Sequence, residues 1–373
     1  MDTIGKLKIL SESSQYDISC ACATGKDEHR RRGTEGKWLY PTTLPQGGYS
    51  ILLKTLMSNH CSNDCKYCPL RGNSNMRRCA LTPEETVDVF MKYRESHHIF
   101  GLFLSSGVLD SPDRSMDRMI AAAEILRKKR RFKGYIHLKI IPGASTAAID
   151  TALSLSSAVS LNIETPGERH FKILSDRKDY NRDIIEPLKY IARMTEKGSK
   201  YHRVKCTTQF IVGASDERDS DILKYSFGLY KRLNFDRIYF SAYQKGLGDP
   251  GIPGERDFFK PPEELFMREH RLYQADFLIR KYKFSENEII TGADGNLDLD
   301  KDPKEVWADR HPEFFPVDVN RAVKDDILRI PGIGPTWAER IVSSRMHRKI
   351  SALSDIGLKG KALEKASKFS VCS

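Results

Sequence analysis

The 373-residue chain has no apolar run of about eighteen residues, so no stretch of it reads as a membrane-spanning helix. The opening residues, Met1-Asp2-Thr3-Ile4-Gly5-Lys6, lack the apolar core of a secretory signal. Cysteine is scarce and unevenly spread: there are eight, with Cys61, Cys65 and Cys68 crowded into one short loop, which excludes a disulfide framework. These absences predict a cytoplasmic protein in a reducing compartment, with no membrane partner. Negative charge is also in deficit. Lys and Arg total 61 against 50 Asp and Glu, a formal net charge of +11, which favours polyanionic partners. A chain of this length can bury a large core and is expected to form two or three domains.

The densest chemistry lies in Asn59-His60-Cys61-Ser62-Asn63-Asp64-Cys65-Lys66-Tyr67-Cys68-Pro69. Three thiols share this loop, with the aromatic Tyr67 just before the last. They are one short of the full cysteine set that a 4Fe-4S cluster usually takes. The next cysteine, Cys79, lies beyond a charged stretch containing Arg71, Arg77 and Arg78. An iron without a protein ligand is free to bind a small molecule. On the residues alone the alternative is a structural zinc site completed by His60 or Cys79, although the second short ligand pair of such sites is missing.

The cysteine spacing, with an aromatic before the third thiol, resembles the radical S-adenosylmethionine (radical SAM) superfamily. The resemblance implies that Cys61, Cys65 and Cys68 hold a 4Fe-4S cluster whose open iron chelates the amino and carboxylate groups of S-adenosylmethionine. It also implies reductive cleavage of the sulfonium to a 5′-deoxyadenosyl radical that abstracts hydrogen, with an electron donor such as ferredoxin or flavodoxin.

From Tyr49 onward, apolar β-type runs alternate with helical patterns: Ile51 to Leu56, Ile99 to Leu104, Tyr135 to Ile141, Val159 to Ile163, Val204 to Val212 and Arg237 to Ala242. That alternation predicts βαβ units around a parallel sheet. The strands are too few for a complete barrel and agree with the α/β, partial (β/α)6 TIM-type barrel of the superfamily. The cysteine loop then follows the first strand, at the C-terminal edge where parallel barrels place their chemistry.

The following strand ends are read as a cofactor bed, with Tyr67 beside it. Ser105, Ser106 and Gly107 stand where the superfamily commonly carries Gly-Gly-Glu, so the backbone contact is kept and the carboxylate lost. Asn162 and Glu164, two apart in an extended run and hence on one side, suit ribose hydroxyls or the methionine carboxylate; a solvent-facing strand end is the other reading. Thr208 to Glu217 resembles the adenine-supporting Gly-x-Ile-x-Gly-x-x-Glu motif, with Ile211 and Gly213 in place and Gln209 departing from its first glycine. No catalytic acid, base or hydrogen donor is singled out.

Four segments are expected. Residues 1–48 form an N-terminal extension, with a short amphipathic stretch from Leu7 to Leu10 and a charged loop from Lys26 to Arg32; 49–250 form the partial barrel; 251–320 are helical and turn-rich. Residues 321–373 carry 11 Lys and Arg against 5 Asp and Glu. Within them, Asp326 to Val342 looks like a helix-hairpin-helix in an all-α domain. Leu328 and Ile330 close its first helix, Gly332, Ile333 and Gly334 make a tight hairpin, and Pro335 opens the next helix. Amides of the hairpin and of Thr336 would face outward to hold a phosphate oxygen without reading bases, with Arg340 and Arg345 extending the contact. Leu353 to Phe369 reads as a second, degenerate unit, and protein docking is the alternative use. The cluster Arg127 to Lys133 complements a helix C-terminus, and Cys20 and Cys22 are either inert thiols or part of an auxiliary metal site.

The pairing of barrel and hairpin, with the blocks Phe100 to Val108, Gly134 to Lys139 and Arg268 to Asp276, resembles the radical SAM proteins assigned to DNA modification or repair. That implies an enzyme acting on nucleic acid, DNA ahead of RNA. A tRNA-modifying radical SAM enzyme and a non-catalytic nucleic-acid-binding iron–sulfur scaffold or redox sensor are the other readings.

Overall fold

The computed structural model describes residues 1–14, 38–43, 49–256 and 262–373; Cys20, Cys22 and the charged loop from Lys26 to Arg32 lie outside them. Contacts divide the chain into two units, 1–217 with 228–266, and 218–227 with 267–373.

The first unit begins with helix α1 (Thr3–Ser14) and strand β1 (Leu39–Thr43), then alternates: β2 (Tyr49–Leu56), α2 (Pro83–His97), β3 (Gly101–Ser105), α3 (Pro112–Glu124), β4 (Tyr135–Lys139), α4 (Thr146–Leu155) and β5 (Ala158–Ser160). Two helices, α5 (Glu168–Leu174) and α6 (Glu186–Thr195), precede β6 (Lys205–Val212); α7 (Asp219–Arg232) and β7 (Arg237–Ala242) follow, with a short α8 (Pro253–Arg256). The strands form one 7-stranded sheet in sequence order, curled into a half-barrel. β2 to β7 are parallel, as the alternation predicts, while β1 pairs antiparallel with β2, Pro41 opposite Ile51. Sequence reading missed β1 because it is short and contains Pro41, a residue that strands accept only at an edge.

Local signals explain the helix starts. Thr82 Oγ1 accepts the Glu85 amide while Glu85 Oε2 accepts the Thr82 amide, a reciprocal cap ahead of Pro83. Ser111 and Ser145 cap α3 and α4 in the same way, each accepting an amide of the first turn. Behind the sheet Leu53, Leu102, Leu104, Ile136, Leu138, Val159, Phe210 and Phe240 are wholly buried or nearly so.

The inward face is unusual. Barrel interiors are commonly filled by Val, Ile and Leu, yet here buried Lys54 lies 4.7 Å from the Phe103 ring and His137 Nε2 sits 2.9 Å from Ser160 Oγ. One expected strand is shorter than its sequence suggests: β5 ends at Ser160 rather than running to Ile163. The Thr208 hydroxyl replaces the ladder there, accepting the Ile163 amide at 2.9 Å and donating to the Leu161 carbonyl at 2.7 Å. Glu164 then turns into the left-handed region, φ 66°, with a single bridge to Phe210.

The second unit takes the start of α7 and most of α9 (Pro262–Lys281), then α10 (Pro303–Arg310), β8 (Val317–Asp318), α11 (Lys324–Arg329), α12 (Pro335–Arg345), α13 (Gly360–Phe369) and β9 (Ser370–Val371). The expected connecting segment, 251–320, therefore contributes α8 to one unit and α10 to the other. Buried Asp219 anchors the second unit, accepting Arg268 Nε at 2.6 Å and the Leu297 amide at 2.9 Å. Its core gathers Val319, Ile327, Ile330, Ile333, Ala338 and Ile341. No described helix is long and apolar enough to cross a membrane.

Candidate active site

The cysteine loop leaves β2 and is held by arginines on backbone carbonyls, by its own amides of Ser62 and Lys66 donating to the Val108 and Leu174 carbonyls, and by the Asp64 carboxylate. Arg71 donates to the carbonyls of Cys68, Leu247 and Gly248, at 3.2, 2.7 and 3.1 Å. Arg78 reaches the carbonyls of Asn59, Leu70, Arg71 and Ser74. Arg71 and Arg78 of the charged stretch between Cys68 and Cys79 thus clamp the loop. Asp64 fixes the other side, accepting Ser175 Oγ at 2.6 Å and the amides of Asp176 and Arg177. Burial alone would raise its pKa; these donors outweigh that and hold the carboxyl below its usual range.

Cys61, Cys65 and Cys68 line one cavity with Tyr67, Ser105, Ser106, Gly107, Asn162, Glu164 and Ile211. The turn after β3 packs against the loop directly: Gly107 donates to the Ser58 carbonyl at 2.7 Å, and a Cβ at Gly107 would stand 2.2 Å from the His60 carbonyl. The small residue serves the cysteine loop itself. Asn162 Nδ2 is 3.5 Å from Glu164 Oε2, both buried, and Glu164 also accepts the Tyr67 hydroxyl. Burial, then Glu164 and the neighbouring thiols, push the Tyr67 phenol pKa well up, so it stays a donor.

Gly213 stands apart from the lining. Its φ is +85°, its amide donates to Glu217 Oε1 at 2.6 Å, and Ser215 donates to Glu217 Oε2 at 2.5 Å, so Gly213 and Glu217 shape the turn after β6.

Lys178 and Gln209 are among the lining residues that were not anticipated. Lys178 hydrogen-bonds to Cys65 and faces Glu164; burial disfavours its charge, but those neighbours outweigh it and push the ammonium pKa up. Gln209, noted before only as a departure from the adenine motif, lines the cavity from β6. A lysine long past the cysteines carries no sequence signal; the fold delivers it from the turn after α5.

The thiol set fits a cluster better than one ion. The three cysteines share one cavity, and neither residue that would complete a four-ligand zinc site is among its lining. Cys79 is buried outside the lining, its Sγ 3.7 Å from the Lys6 carbonyl, and His60 is exposed. Burial raises the pKa of both Cys65 and Cys68 thiols, with Lys178 opposing the effect at Cys65. Metal then has to displace protons as it binds.

Residues 55–225 match the family model described as the Radical SAM superfamily. The chain carries a radical SAM domain. No curated protein matches it. Among solved structures it is similar to methylornithine synthase (PylB), at 16% identity and TM-score 0.46 over 60% of this chain and 62% of that one. It is also similar to the FeFe-hydrogenase maturase HydG from Carboxydothermus hydrogenoformans, at 15% identity and TM-score 0.47 over 61% and 51%. These matches span less than two thirds of either protein's length. Radical SAM enzymes use a 4Fe-4S cluster and S-adenosylmethionine; Cys61, Cys65 and Cys68 lie within the matched residues and share one cavity.

The residues expected to touch nucleic acid lie in the second unit. Gly332 has φ +85°, and a Cβ there would stand 2.4 Å from the Ala362 carbonyl. Ile333 is a core side chain, and its carbonyl accepts Lys304 Nζ at 2.5 Å. Gly334 caps α12 without a side-chain bond; Thr336 and Arg340 are exposed, the guanidinium 5.3 Å from the Trp337 ring. Arg345 differs from expectation: it donates to the carbonyls of Val319 and Ala322, at 2.9 and 2.7 Å, and so ties the unit together internally.

Proposed function

We propose that this radical SAM enzyme acts on nucleic acid, DNA ahead of RNA, in modification or repair, with α11 and α12 serving as a helix-hairpin-helix that holds the phosphate backbone. The observation that carries the reading is the start of α12. No side chain caps it, so the amides of Thr336 and Trp337 have no intrahelical acceptor and are left for an anion. Beside them Arg340 lies exposed over Trp337. α13 also begins without a side-chain cap, at exposed Lys359. Arg340, Arg348, Lys349, Lys359 and Lys361 have no ion pair among the described residues, whereas Lys324 and Lys365 are paired with Glu339 and Glu305.

When bound, the cluster and S-adenosylmethionine supply sulfonium reduction and hydrogen-atom abstraction. The protein's own part is positional. Arg71, Arg78 and Asp64 fix the thiol-bearing loop, Tyr67, Asn162 and Glu164 form a polar wall, and buried apolar residues behind the sheet keep the half-barrel rigid. A duplex base would be extruded to reach this cavity, at about a few kcal/mol.

Fluorescence anisotropy with labelled duplex DNA, single-stranded DNA and tRNA tests the reading. Wild type is expected to bind DNA more tightly than tRNA. Arg340→Ala should weaken binding to all DNA sequences alike and reduce the salt slope by about one. Identical affinity and slope in the variant contradict the backbone role, and a preference for tRNA moves the substrate to RNA.

A further inference from the structure

Gln209 departs from the superfamily's adenine motif, and its hydrogen-bonding capacity is not met. It is 6% exposed in β6, and its Nε2 has no hydrogen-bond partner among the described residues. A buried donor left unpaired is costly, and a fold tolerates that where a ligand brings the acceptor. The side chain lines the cavity under the cysteine loop. Its backbone is pinned, the carbonyl accepting the Glu164 amide at 3.0 Å, so the residue cannot turn away.

Strand periodicity puts Gln209 on the same face as Ile211 and ~6.6 Å further from the C-terminal strand ends. The cysteine loop, Ser105 to Gly107 and Glu164 occupy those ends; Gln209 stands one layer deeper. Its register partner on β7 is Tyr239, and buried Ser241 lines the same cavity one step above. A glycine at this place would offer no polar group, so the departure adds a donor while Ile211 and Gly213 keep their places.

We propose that Gln209 is a specificity-determining residue for the substrate, its Nε2 donating to a carbonyl oxygen or ring nitrogen of a nucleobase admitted beneath the cofactor. The assignment rests on the nucleic-acid reading above. It makes base recognition a property of the barrel interior and backbone grip a property of the C-terminal unit.

The test uses the full-length, anaerobically reconstituted protein with Gln209→Leu, which removes the donor, and Gln209→Glu, which keeps the size and reverses the polarity. Dissociation constants are measured for S-adenosylmethionine alone, for a short labelled single strand carrying every base, and for an abasic strand of equal length. Wild type should prefer the base-bearing strand. Both variants should lose that preference by roughly tenfold, with affinity for S-adenosylmethionine and for the abasic strand unchanged. A preference intact in both variants, or binding by Gln209→Glu as tight as wild type, overturns the donor role. Weakened S-adenosylmethionine binding assigns Gln209 to the cofactor and overturns it as well. Failure of wild type to bind either strand instead overturns the nucleic-acid reading, and with it the substrate class named here.

Discussion

Lys178 brings an ammonium against the Cys65 thiol and within the field of Glu164. A cation beside a cluster thiolate favours the state with the extra electron, since hydrogen bonds and charge around the sulfurs set cluster potentials. Lys178→Met should therefore make the reconstituted cluster harder to reduce, and Lys178→Arg should largely restore it, read from a spectroscopically monitored redox titration. Lys304 is the second buried cation to test. Burial drives its pKa down from 10.5 to about 7, with Asp302 opposing. Below that value the folded and unfolded chains both carry the proton; from about 7 to 10.5 the unfolded chain holds more, so stability rises across that window. Lys304→Met lacks this gain. The stability difference between wild type and variant should shift toward wild type by on the order of a few kcal/mol from neutral to alkaline pH, checked by denaturant unfolding at both. Neither lysine announces itself in the sequence. The cysteine triad, Asn162 and Glu164 are local patterns, whereas Lys178 and Gln209 matter through what the chain folds against them. Arg345 shows the reverse case: a basic residue late in a helix suggests an outward contact, but the Val319 and Ala322 carbonyls capture it.

At the scale of elements, the turn after β3 and the cysteine loop are interlocked through backbone. Gly107→Ala would set a Cβ against the His60 carbonyl, and neither side has a flexible group that can give way. Iron loading after reconstitution should fall sharply while the barrel stays folded, measured by iron content and far-ultraviolet circular dichroism. In the second unit, Gly332→Ala meets both a left-handed φ and the Ala362 carbonyl, and should cost more than about 1 kcal/mol in unfolding free energy. The six parallel strands were legible because apolar runs bounded by turns alternate with capped helices. The early end of β5 was not, because a side-chain hydroxyl from Thr208 replaces ladder bonds there, and that substitution depends on a neighbouring strand.

For the whole molecule, a radical SAM half-barrel with a polar inward face shares one chain with a basic C-terminal stretch, 321–373, that contains the uncapped helices α12 and α13. The residues from 321 onward carry a large share of the net positive charge, which gives association with a polyanion its salt dependence. The barrel was readable from strand order and cysteine spacing. The division between units was less so, because α7 and α9 each contribute to both and no composition break marks the change. The most direct measurement is isotope transfer: reconstituted protein is reduced with S-adenosylmethionine and a single-stranded oligodeoxynucleotide deuterated throughout, and the 5′-deoxyadenosine is analysed by mass spectrometry. The account predicts deuterium in the 5′-deoxyadenosine, whereas 5′-deoxyadenosine formed without deuterium would contradict a DNA substrate.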